Sequence, residues 1–127
     1  MTVITDPTQF NVDDLFVDLR SVVDHRLFLK CEGFNFAGSV KLKAAIAMVE
    51  DAERDGRLNQ WSILVESSSG NLGVALAIVA ASKGYRFLCV TDPRCNPASI
   101  QVMRALGAEV RVISEKDANG EIGRAHV

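Results

Sequence analysis

The sequence predicts an α/β fold: a parallel sheet with helices on both faces, in three αβα layers. Three observations carry this. Apolar spacing alternates along the chain between a helical period and short unbroken runs. Three helical stretches each end at a glycine, namely Gly56, Gly84 and Gly107. Each of those glycines is followed by a strand-like run, and such βα repetition builds a parallel sheet covered by helices. Crossovers in such folds are right-handed, and ligands bind outside the carboxyl ends of the strands.

The elements follow in order. Residues 1–25 read as a lead-in. "RLFLKCE" (26–32) is short and apolar and reads as a strand. From Ser39 to about Asp55 the spacing is helical, with Ala45, Met48, Val49 and Ala52 on one stripe and Gly56 as the stop. "SILVE" (62–66) is a buried-strand run and "SSSGN" (67–71) a turn. "LGVALAIVAASK" (72–83) is apolar nearly all round, which predicts a buried helix ending at Gly84. "RFLCVT" (86–91) is the next strand, broken by Asp92-Pro93. Asn96-Pro97 supplies a cap and a first helical residue for a helix to Leu106, stopped by Gly107. "EVRVI" (109–113) is a further strand. The loops 33–40 and 67–71 both follow strands and precede helices, so they are expected at the same edge of the sheet.

Composition narrows the function classes. A chain of 127 residues, 48% hydrophobic and 24% charged, is globular and of single-domain size. A net charge of -2 points away from a nucleic-acid partner. No apolar run is long enough to span a membrane, and "MTVITDPTQF" lacks the basic start and apolar core of a signal peptide. Cys31, Cys89 and Cys95 form no CxxC pair, which fits a reduced, cytoplasmic chain. Cys31 and Cys89 lie in apolar runs and read as packing residues. His25 reads as a surface residue.

Two stretches could carry chemistry. In "ESSSGNLG" small hydroxyl residues, a glycine and an asparagine open an apolar helix. Ser69 or Asn71 could cap that helix. Its free N–H groups and dipole could equally bind an anion, with Gly70 allowing close approach. The P-loop ending and the G-x-G-x-x-G spacing are both absent. The second stretch is "NFAGSVKLKAA", where Lys41 falls in the first turn of a helix, the end that disfavours cations. Lys41 and Lys43 both read as solvated helix lysines. Alternatively, a positive field and desolvation beside an anion site would favour a neutral Lys41 amine, which attacks carbonyls.

The runs "KCEGFNFAGSVKLKAA", "VESSSGNLGVALA", "KGYRFLCVTDP" and "ALGAEVRVI" resemble, in order and spacing, the cysteine synthase-like branch of the fold-type II pyridoxal phosphate (PLP) enzymes. The likeness is greatest to synthases of 2,3-diaminopropionate pathways. It implies the N-terminal part of a two-domain enzyme, with PLP as cofactor and small amino-acid substrates. The family lysine that forms the Schiff base with PLP falls on Lys41. The loop that binds the substrate carboxylate falls on Ser68, Ser69, Gly70, Asn71 and Leu72, and Asn71 also inherits a contact to the PLP ring hydroxyl. The implied reaction is β-replacement on an O-activated serine, with sulfide or an amino acid amine as nucleophile, in a cytoplasmic homodimer. The family motif proline is Phe36 here, the loop's two threonines are Ser68 and Leu72, and the Asp-Arg after the lysine is Leu42-Lys43.

Members of that family are more than twice this length, and their glycine-rich phosphate loop comes later in the chain. The resemblance therefore implies a partial PLP-enzyme domain over 26–120, inactive by itself. "EIGRAHV" (121–127) reads as the translation of a sequencing-library adapter and is expected to be non-native, so His126 carries no functional reading. A rival expectation is a non-catalytic small α/β module that binds an anion or a partner.

Overall fold

The computed structural model describes residues 1–114, so the 121–127 tail and the end of the 26–120 unit lie outside the described residues. A parallel sheet is present, built from β3 (Ile63–Ser67), β4 (Arg86–Thr91) and β5 (Glu109–Val112) in the order β3-β4-β5. Preceding it are β1 (Phe16–Asp18) and β2 (Phe28–Lys30). The helices are α1 (Lys41–Arg54), α2 (Asn71–Lys83) and α3 (Pro97–Ala105). Their glycine stops stand at positive φ: 70° at Gly56, 81° at Gly84 and 90° at Gly107. Among these residues no helix is long and apolar enough to cross a membrane.

Helix α2 is the centre of the molecule. From Ala75 to Ala80 no residue is more than 4% exposed. An unbroken apolar circumference needs neighbours on every side, and α2 has them. The sheet and α3 meet at Gly73, where an added Cβ would stand 2.8 Å from Met103 Sδ and 3.1 Å from Cys89 Sγ. Helix α1 covers a further side with Leu42, Ala45, Val49 and Ala52, all buried. Met48, expected on that stripe, is 46% exposed, because the buried line starts at Leu42 and Met48 falls one position off it. On the sheet side opposite Cys89, Ile63 is 46% exposed while Val90 is 7% exposed.

The strand expected at 26–32 is corrected. It shrinks to Phe28–Lys30 and pairs antiparallel with β1 in a separate two-stranded sheet. A turn over residues 19–27 brings in this partner, closed by Leu19 N–H donating to Leu27 C=O at 3.0 Å. Such a local partner closes a short loop, whereas joining β3 would have required α1 as a crossover. The 33–40 loop therefore does not sit at the parallel sheet's edge through its own strand.

Helix pairing places that loop instead. Helices α1 and α2 run side by side in the same direction. At their carboxyl ends Glu53 accepts from Lys83 Nζ at 3.0 Å and from Tyr85 OH at 2.9 Å. At the other end Phe36 and Ala37, just before α1, share a groove with Asn71 at the start of α2. Cys89 and Cys95 are buried, and burial pushes the Cys89 thiol up to about 11. Cys31, expected as a packing residue, is only half-buried because it directly follows β2, which lies in the exposed two-stranded sheet. His25 is exposed, as expected.

Two predictions follow from this packing. Gly73→Ala introduces overpacking worth about 1–3 kcal/mol against the two sulfurs, offset by roughly 1 kcal/mol of helix propensity. A lower urea midpoint with unchanged slope is expected. The Lys83 ammonium and then the Tyr85 hydroxyl hold the Glu53 carboxyl below its ordinary value. A depressed carboxyl stabilises fully above its unfolded value and loses that contribution as pH falls through its folded one. Glu53→Gln should therefore melt lower than the parent near neutral pH, with the gap narrowing on acidification.

Candidate functional site

The approach to Lys41 is built on Asn35, which is 6% exposed. Its Nδ2 donates to Glu32 C=O at 3.1 Å and to Ser39 C=O at 2.8 Å, tying both ends of the loop together. Its Oδ1 is buried with no partner among the described residues. The lead-in chain runs alongside: Val12 N–H donates to Phe34 C=O and Phe36 N–H to Phe10 C=O, both at 3.1 Å. Helix α1 starts at Lys41 and not at Ser39: its N-cap is Val40, which makes no side-chain cap hydrogen bond, and the Ser39 hydroxyl, one residue further out, accepts the Lys41 N–H at 3.3 Å.

The two lysines of this turn differ. The Lys41 side chain is exposed, and its Nζ makes no ion pair or hydrogen bond among the described residues. The expected desolvation is thus absent from the described fold. Lys43, expected to be solvated, is paired with Asp13 at 2.7 Å and with Glu32 at 2.9 Å.

In the 67–71 loop the helix cap falls to a residue other than the two expected. Ser68 Oγ accepts from Gly70 N–H at 3.2 Å and from Gly73 N–H at 2.9 Å. The capping residue is therefore Ser68, not Ser69 or Asn71. A side chain two residues before the N-cap reaches back because Gly70 adopts φ 157° and ψ -81°, a turn that suits glycine. Ser69 and Asn71 are exposed. The N–H groups of Ser69, Asn71 and Leu72 have no acceptor among the described residues. Leu72 turns its side chain into the core, so losing a hydroxyl there leaves the N–H free. Gly70 N–H, expected to face a ligand, is already engaged by Ser68.

The parallel run of α1 and α2 brings Lys41 and these free N–H groups to one end of the molecule, where both helix dipoles are positive. An apolar groove of about 480 Å³ opens there between Phe36, Asn71, Val74, Ser99 and Val102. Sequence reasoning missed Ser99, whose Oγ lies 3.8 Å from where a Cβ on Gly70 would stand. It also missed Asp13 and Glu32, since no local pattern marks an acid that acts across the fold. Removing the Ser68 hydroxyl strands two N–H groups, so Ser68→Ala should cost about 0.5–2 kcal/mol in urea unfolding. Ser69→Ala should leave stability unchanged.

Known proteins share this fold. The family described as pyridoxal-phosphate dependent enzyme matches residues 16–126. A hydrogen sulfide-producing enzyme from Fusobacterium nucleatum superposes with a TM-score of 0.81 at 28% identity, over 88% of this chain and 38% of its own. O-ureido-L-serine synthase superposes with a TM-score of 0.80 at 32% identity, over 94% of this chain and 39% of its own. A lysine-to-alanine mutant of that synthase with O-ureido-L-serine bound gives a TM-score of 0.76 at 31% identity, over 89% and 36%. The chain thus spans less than two fifths of the length of these enzymes. Its matched residues take in the parallel sheet and the three helices of the described residues, and by that extent and by its fold the chain belongs to the pyridoxal-phosphate dependent enzymes of fold type II.

Proposed function

We propose that this chain carries the reactive lysine and the substrate-carboxylate loop of a PLP-dependent β-replacement enzyme acting on an O-activated serine. One observation carries the reading: parallel α1 and α2 bring the unpaired Lys41 amine and the unpartnered N–H groups of Ser69, Asn71 and Leu72 to one positive end. The residues fit the cofactor and its substrate. An exposed amine suits a carbonyl, and three free donors at a helix N-terminus suit a carboxylate.

When bound, PLP withdraws electrons from the substrate α-carbon. Lys41 Nζ would be the group that holds the cofactor, and its free amine would take the α-proton. The N–H groups of Ser69, Asn71 and Leu72 grip the substrate carboxylate and so present the α-proton to Lys41. Ser68 and Gly70 shape that grip, and the Asn71 side chain, exposed at the same loop, is the donor for the cofactor ring oxygen. The incoming nucleophile is sulfide or an amino acid amine, and the leaving group is acetate or phosphate. A cytoplasmic homodimer accords with the same resemblance. These 127 residues alone span 38–39% of the two enzymes compared, and no turnover is expected from them alone.

PLP added to the full-length protein should give a yellow absorbance band. Lys41→Ala should abolish the band and Lys43→Ala should keep it. A full-length protein with Lys41 intact that never develops the band sinks the reading and leaves a non-catalytic anion-binding module in its place.

A further inference from the structure

Two lysines stand two residues apart at the start of α1, and a carbonyl reacts with any neutral amine within reach. Alternate helical positions point some 200° apart, which separates the side chains but does not silence the second. We propose that Asp13 and Glu32 sequester Lys43 and thereby leave Lys41 as the single reactive amine of this turn. The inference rests on the reading of Lys41 as the lysine that binds the cofactor, and it adds what makes that choice selective.

The geometry is specific. Lys43 Nζ lies 2.7 Å from Asp13 Oδ1 and 2.9 Å from Glu32 Oε2, so two of its three donors are held. The other Glu32 oxygen takes Lys30 Nζ at 2.6 Å. Two carboxylates and two ammonium groups thus close a neutral cluster. Lys43 is held above its ordinary value, first by Asp13 and then by Glu32, and Glu32 below its own by Lys30 and then by Lys43. An ammonium so held is not a nucleophile. Lys41 has no such partner among the described residues.

Neither acid is there by helix chemistry. Glu32 is fixed through its backbone, whose C=O accepts from Asn35. Asp13 is delivered by the lead-in chain, which follows the 34–36 stretch through the Val12 and Phe36 hydrogen bonds, the Asn11–Asn35 bridge and the edge-to-face Phe10–Phe34 pair at 6.0 Å. The first residues of the chain therefore serve the reactive turn directly.

Reductive trapping tests this. The 127-residue chain is mixed with PLP and borohydride, and the adducts are located by peptide mass spectrometry. A lysine nitrogen bonds to the aldehyde carbon with loss of water, and borohydride then delivers hydride to that carbon while solvent protonates nitrogen. The parent should carry its adduct mainly on Lys41. Each exposed ion pair shifts the balance by roughly threefold, so Asp13→Asn with Glu32→Gln should lower the Lys41-to-Lys43 ratio by about tenfold. Asp13→Glu should retain the parent ratio. High salt should move the parent in the same direction as the double variant, a measurement that needs no substitution. An unchanged ratio in high salt, or in a double variant of unchanged far-UV circular dichroism, overturns the inference while Lys41 labelling still supports the proposed function. A parent chain unlabelled at Lys41 overturns that function as well.

Discussion

The all-round burial of α2 is the constraint on which the rest of the structure depends. A helix with no polar face cannot stand at a surface. It must have a sheet on one side and helices on the others, and here the cluster around Ala75, Leu76, Ile78 and Val79 joins residues of α1, α3 and β4. The close approach at Gly73 allows α3 and β4 to meet α2 at the same place. The short apolar strands gain little from isolated pairing and owe their burial to this helix.

The site is a by-product of that packing. Burying α2 against a parallel α1 aligns two helix starts, and each start leaves N–H groups without helical partners. Parallel neighbours place like dipole ends together, at a small electrostatic cost that an anion bound there would offset. The loop before α2 answers part of this need internally through Ser68 and leaves the remainder open. The carboxyl ends of the same helices are tied by Glu53, Lys83 and Tyr85, which fixes the direction of the pair.

The lead-in chain plays a larger part than its composition suggests. It supplies β1 as the partner of β2, and Asp6 reaches across to the Ser82 hydroxyl of α2 at 2.7 Å. It also lines the loop that carries Asn35, and so delivers Asp13 to Lys43. A segment with few buried residues thereby governs the surroundings of the turn that carries Lys41 and Lys43.

Much of this was legible before any coordinates. The order and ends of α2, β3, β4, α3 and β5 follow from apolar period and glycine stops, because burial leaves a local trace in the sequence. The two loops that make the site were also visible, because helix starts and turns select their residues locally. Tertiary structure alone decided the rest. It gave β2 an antiparallel partner, put Leu42 rather than Met48 in the core, made Ser68 the cap, and paired Lys43 with Asp13. Each of these depends on a backbone path or a distant side chain. A period records which face is buried but not what buries it, and an ion pair between residues thirty positions apart leaves no local trace at all.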